Sequence, residues 1–233
     1  MELIRKKMNA FFKDYGIDEY FKPILQKIKI SLENLRSQGI PEEEIQKIRD
    51  RAYTILDDFE EKAALNAQVR TEVPKTLNEL SSYKLGLISS NGRKCVKIAL
   101  KSAKIPLELF STIVTRDDVE NTKPDPEPLI LAIKKMKLNN LKHRQIVYVG
   151  DHIHDMMCGK AAQTILKTIK VTTVGVQSKM FNPQNLRKCK KTDMYIKSFT
   201  ELRGVIEKLE VKKLLNRITS RQFLIAIKNG FFE

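Results

Sequence analysis

Residues 145–155, Gln-Ile-Val-Tyr-Val-Gly-Asp-His-Ile-His-Asp, constrain the fold more than any other stretch of this chain. A short apolar run stops at Gly150-Asp151, and a second carboxylate, Asp155, follows four residues on. Such a run of β-branched and aromatic residues reads as a strand buried on both faces, the kind found in parallel sheets. Parallel sheets bind ligands just past the carboxyl ends of their strands. Gly150 predicts a sharp turn there, and a helix after it would let Asp151 and Asp155 converge on one small volume. Two hard oxygen ligands suit Mg²⁺, usually held by one or two carboxylates, waters and a substrate phosphate. The plainer alternative is a strand, a polar turn and a helix that the acid merely caps.

Two more segments of the same type lie upstream. Lys84-Leu-Gly-Leu-Ile-Ser-Ser-Asn-Gly92 is a short apolar strand ending in hydroxyls and an amide. Thr122-Lys-Pro-Asp-Pro-Glu-Pro128 sets a lysine immediately before a proline-rich turn that opens a helix. In order, the chain offers hydrogen-bond donors, a cation and a carboxylate pair. A phosphoryl group with its metal ion needs those three things.

With these residues in view, the sequence resembles the haloacid dehalogenase superfamily, in its phosphatase-like branch with a helical cap. Ser89 matches the family's second motif, Lys123 its third, and Gly150-Asp151 with Asp155 its fourth. The resemblance runs from Met1 to about Leu209. It implies Mg²⁺-assisted hydrolysis of a phosphate monoester through an aspartyl-phosphate, with a small phosphorylated molecule as substrate. Asp151 and Asp155 would hold the metal. Ser89 would donate to a phosphate oxygen, with Ser90 and Asn91 as weaker candidates that could instead cap a helix. Lys123 would neutralise phosphate charge and steady the nucleophile. The family's first motif, a strand ending in Asp-x-Asp, has no counterpart here. Asp57-Asp58, Asp117-Asp118 and Asp125 do not follow an apolar strand. That motif supplies the nucleophile and the general acid/base, so activity is in question.

The expected architecture is α/β: a Rossmann-like parallel sheet wrapped by helices, its central first strand missing, behind an N-terminal helical cap. We delimit a cap over 1–72, a core over 73–209 and an extension over 210–233. In the cap, apolar residues recur at helical spacing from Leu3 to Tyr15 and from Tyr20 to roughly Leu35. A third helix starts after Gly39-Ile-Pro41, with three acids at its positive end. Beyond Val73-Pro74, strands near 84–89, 112–115, 145–149, 168–174 and 194–196 alternate with helices, as a parallel sheet requires. In the tail, Val211 onward reads as a basic helix, and Phe223-Leu-Ile-Ala-Ile227 is apolar enough for a strand before the Asn229-Gly230 turn. A peripheral position is expected for that strand; the alternative is that it fills the vacant central slot without restoring the nucleophile.

Charge and cysteine usage narrow the setting. The net charge is +15, unevenly placed: residues 1–80 carry 14 basic and 15 acidic side chains, the remainder 29 and 13. A basic half can signal a polyanion partner. No nucleic-acid motif or aromatic platform accompanies it, so a solvated lysine-rich surface that favours small anions is the preferred reading. Cys95, Cys158 and Cys189 form no paired or zinc-like spacing, which fits a reducing, cytoplasmic compartment. No apolar run reaches membrane-spanning length and no signal peptide is evident, so no membrane association is expected. Oligomeric state is not readable. His152 and His154 raise a transition-metal alternative, which is disfavoured because residues two apart need not converge and Mg²⁺ prefers oxygen. Cys158 reads as a small buried helix residue.

Three function classes stay open. One is a phosphatase whose nucleophile strand lies upstream of Met1. Another is a non-catalytic relative that binds phosphate and metal or a protein partner. The last is a basic nucleic-acid binder.

Overall fold

The computed structural model of the chain describes residues 2–66, 69–138, 144–179, 181–215 and 223–227. Two compact units result, Met1–Leu65 and Asn66–Glu233. The first is built on α1 (Glu2–Lys13), α2 (Ile24–Ser37) and α3 (Glu42–Asn66). Ile4, Met8 and Phe12 recur every four residues along one face of α1. They bury against Ile28, Leu32 and Leu35 of α2 and Ile45, Ile48 and Ala52 of α3. Gly16, at φ +76°, supplies the left-handed residue beyond α1 that a Cβ would strain.

The second unit runs α4 (Glu72–Glu79), β1 (Lys84–Ile88), α5 (Arg93–Ser102), β2 (Thr112–Val114), α6 (Glu127–Lys135), β3 (Arg144–Gly150), α7 (Ile153–Ile165), β4 (Ile169–Val176), α8 (Pro183–Arg187), β5 (Met194–Ile196), α9 (Leu202–Leu215) and β6 (Phe223–Ile227). Helices α4 and α8 add to the expected elements. Pro74 is tolerated in α4 because it falls in the first turn, where an N–H has no helical acceptor. All six strands lie parallel in one sheet, ordered β2-β1-β6-β3-β4-β5. As expected of such a sheet, β3 is buried on both faces. Val147 and Val149 join one apolar core with Leu85 and Leu87, while Ile146 and Tyr148 join the other with Ile88. No helix of the described residues is long and apolar enough to cross a membrane.

The position of the tail strand corrects the peripheral expectation. β6 is hydrogen-bonded between β1 and β3, with Ile225 level with both Leu85 and Val147. Two facing strand edges left open would expose rows of unpaired N–H and C=O groups inside the fold. An apolar pentapeptide without Pro or Gly meets that need. The basic helix expected from Val211 is represented by the end of α9; the Asn229-Gly230 turn lies outside the described residues.

Candidate functional site

Lys123 draws two strand tips together. Its Nζ donates to the carbonyl of Ile88 at 3.3 Å and lies 3.0 Å from Asp155 Oδ1. Ile88 ends β1 immediately before Ser89, and Asp155 sits in the first turn of α7, just past β3. Ser89, Lys123, Asp151 and Asp155 are all buried, at 4, 8, 2 and 0% exposure. Two charges removed from water to this degree repay their desolvation only with good geometry and further hydrogen bonds. Asp155 Oδ2 accepts the His152 N–H at 3.0 Å. The plainer capping reading of the acid therefore holds alongside the pairing, because Asp155 closes a capping box with His152 at the start of α7.

Gly150 acts differently from the expectation. Its φ is not left-handed, so the turn does not require it. A Cβ there would instead stand 2.3 Å from Asp155 Cβ and 2.6 Å from its Oδ2. Glycine is what lets the carboxylate settle against the end of β3.

The loop after β1 is equally specific. Ser89 N–H extends the ladder to Val114 O at 2.8 Å, and Ser89 Oγ accepts the Asn91 N–H at 3.0 Å. Ser90 N–H meets no acceptor among the described residues and lies next to that hydroxyl. Asn91 Nδ2 turns to Cys95 Sγ at 3.5 Å. Neither Ser90 nor Asn91 caps α5. Its N-cap is Gly92, and the Arg93 N–H is met at 2.8 Å by Asp117 Oδ2 from a distant turn.

Several supporting residues carry no clear mark in the sequence. Arg116 is fully buried beside the Ser90 carbonyl, its Nη1 at 3.4 Å. Asp118 accepts from Thr115 N at 2.8 Å, pairs with Lys135 at 2.9 Å and also binds Arg93. Burial alone would raise its carboxyl, but Lys135, Thr115 and Arg93 together hold it below the usual range. The Glu127 carboxylate takes the Glu120 and Asn121 N–H groups at 2.9 and 2.8 Å, fastening the loop that delivers Lys123. The Thr115-Arg-Asp-Asp118 spacing is a capping-box signature and could have flagged the first of these turns.

Two disfavoured roles have structural counterparts. His152 Nδ1 accepts the His154 N–H at 3.2 Å, so that nitrogen presents no lone pair to a metal. No three His, Cys, Asp or Glu side chains among the described residues cluster as an all-protein metal set. Cys158 is wholly buried, and burial pushes its thiol up to about 12, which suppresses the nucleophilic thiolate.

The carboxylates do fit a magnesium ion in one respect. Lys123, Asp151 and Asp155 are each buried and together carry a formal charge of −1, and buried excess negative charge is costly unless a cation compensates it. Two oxygen donors leave the remaining positions to water and phosphate, which is how Mg²⁺ is commonly held.

Comparison with known proteins places the chain in a family. Pyrophosphatase PpaX of Bacillus velezensis is 38% identical over 108 residues, which is 46% of this chain and 48% of that protein. The chain thus matches about half the length of such curated relatives. A haloacid dehalogenase-like hydrolase from Bacteroides fragilis superposes with a TM-score of 0.57 at 24% identity, covering 85% of this chain and 90% of the other. A hydrolase from Pseudomonas syringae gives 0.57 at 22% identity, covering 88 and 91%. The family model for haloacid dehalogenase-like hydrolases matches residues 1–171, so the chain belongs to that family.

Proposed function

We propose that the core holds the phosphoryl group of a small phosphorylated molecule together with Mg²⁺, and that it does so without covalent turnover. One observation carries the reading: Lys123 bridges the Ile88 carbonyl and Asp155, which gathers the ends of β1 and β3. Asp151 and Asp155 would hold the ion, which when bound supplies Lewis-acid polarisation of a phosphoryl oxygen. The Lys123 ammonium offsets negative charge on the ligand. Ser89 Oγ accepts one hydrogen bond, and a hydroxyl that accepts can still donate its proton. With the adjacent Ser90 N–H it offers two donors to phosphate oxygens.

Hydrolysis by the family's route needs a carboxylate nucleophile on the strand between β1 and β3. In this chain that strand is β6, whose residues are Phe-Leu-Ile-Ala-Ile. Loss of a covalent nucleophile costs several orders of magnitude in rate. A second reading, full hydrolysis, is favoured by the pyrophosphatase name of the relatives, and on it a carboxylate from outside β6 must serve.

Calorimetric titration of Mg²⁺ and inorganic phosphate, with p-nitrophenyl phosphate turnover in parallel, separates these. Phosphate should bind in the presence of Mg²⁺. Asp151→Asn should weaken Mg²⁺, and Lys123→Met phosphate, by about tenfold or more. No turnover should exceed background. Unchanged affinities in both variants would overturn the site; turnover abolished by Asp151→Asn would establish the second reading.

A further inference from the structure

We infer that Arg116 is a positioning residue for phosphate, acting on Ser89 through one intervening peptide unit; this rests on the proposed role of Ser89 as a phosphate donor. Arg116 follows β2, which pairs with β1 so that Val114 is level with Ile88. The Thr115–Asp118 capping box then turns the chain back towards the loop after β1. Two donors of Arg116 engage successive carbonyls there: Nη1 meets Ser90 O at 3.4 Å, and the backbone N–H meets Asn91 O at 3.2 Å.

The Ser90 carbonyl and the Asn91 N–H belong to one planar peptide unit, so fixing the oxygen fixes the N–H opposite it. That N–H donates to Ser89 Oγ at 3.0 Å. The hydrogen-bond chain therefore runs from guanidinium to peptide to the accepting hydroxyl oxygen. Chains of this kind polarise one another in a low-dielectric interior. With its oxygen committed as acceptor to Asn91, the Ser89 hydroxyl is oriented to present its proton elsewhere. On the far side, Lys123 fixes the Ile88 carbonyl at 3.3 Å. Two buried cations thus bracket Ser89 by holding the carbonyls before and after it.

Arg116 is a costly residue to bury. It is the largest fully buried side chain of the described residues, and guanidinium keeps its charge at any ordinary pH. Burying that charge carries a desolvation cost that an apolar side chain of similar length would avoid. The charge stands one peptide from the hydroxyl that the proposed ligand would meet.

The test is a double-mutant cycle on the full chain, with inorganic phosphate titrated in the presence of Mg²⁺. Ser89→Ala and Arg116→Met should each weaken phosphate by about tenfold. The double variant should be about tenfold weaker too, not a hundredfold, because both changes remove the same interaction. Mg²⁺ affinity in Arg116→Met should stay within about twofold of the parent. Arg116→Lys keeps the charge and should lose less affinity, and that loss should also vanish in the Ser89→Ala background; it carries the test if Arg116→Met does not fold. Multiplicative losses, or Arg116 variants that bind phosphate like the parent while Ser89→Ala does not, would overturn the inference and leave the site standing. A parent chain that binds no phosphate would overturn both.

Discussion

β1 and β3 run into Ser89 and Asp151, whereas β6, hydrogen-bonded between them, is Phe-Leu-Ile-Ala-Ile along its whole length. The flanking strands end in a hydroxyl and a carboxylate, with Lys123 reaching in from the loop before α6; the middle strand is apolar in sequence throughout. This contrast separates what the sheet needs from what the chemistry needs. A central parallel position demands two rows of hydrogen bonds and apolar residues on both faces. It demands no acid. β6 also acts as a ruler, because Ile227 pairs with both Leu87 and Val149 and so brings the two neighbouring strand tips level.

The sharpest way to break the comparison is at the ruler. Among the described residues, β1 and β3 are joined in the sheet through β6. Ile225→Pro would remove a ladder hydrogen bond in a central strand, where proline is not accommodated. A loss of about 3 kcal/mol or more is expected, read as a lower urea midpoint. Phosphate and Mg²⁺ binding should fall with it. A midpoint equal to the parent's would mean that the sheet does not depend on β6.

The same contrast explains what is legible in the sequence. Strands β1 and β3 announce themselves because an apolar run stops at polar residues, and Ser89 and Asp151 name their tips directly. β6 is as apolar as either, yet its sequence suggests the periphery and its place is the centre. A run of five apolar residues carries no record of its neighbours, and pairing partners 78 and 140 residues away leave no local signal. Lys123 is legible from its proline-rich setting. Arg116 and Glu127 are not, because their significance lies in carbonyls and amides that every residue possesses. Gly150 stands out in the sequence for a different reason from the one that matters: the pattern suggests φ freedom, while the need is for the space that Asp155 fills.

A middle-sized test of the flanking tips follows from that space. Gly150→Ala would force a Cβ to within 2.3 Å of Asp155 Cβ, so the helix start or the carboxylate must shift. Overpacking of this kind costs about 1–3 kcal/mol. Here it should also weaken Mg²⁺, since Asp155 is displaced. Gly204→Ala in α9 is the control: nothing stands within 4 Å of the point its new methyl would occupy, and the change should stabilise by roughly 0.5–1 kcal/mol. Thermal melting of both variants, with Mg²⁺ titration of the first, reads the difference. Equal behaviour would remove the close-approach argument.

The smallest effect concerns the ties that hold the β1 side in place. Asp118 joins Thr115, Arg93 and Lys135, linking the turn after β2 to the start of α5 and the end of α6. Burial raises its carboxyl pKa, and the bonds from Lys135 and Thr115 with the Arg93 charge outweigh it, so the folded value lies below the usual one. A depressed folded pKa contributes stability that is present above the unfolded value and is lost as pH falls through the folded one. Asp118→Asn keeps the shape and removes the charge, at a cost of about 1 kcal/mol near neutral pH. Urea midpoints taken from about pH 6 down to about pH 3 should therefore converge for parent and variant as the parent protonates. Asp193, held below its usual range against burial by Lys160 and Thr173, ties β4 to α7 on the other side and should give the same convergence in Asp193→Asn. If the midpoints of Asp118→Asn and the parent stay parallel across that range, the charge of Asp118 does not stabilise the turn that carries Arg116, and hydrogen bonding alone holds it.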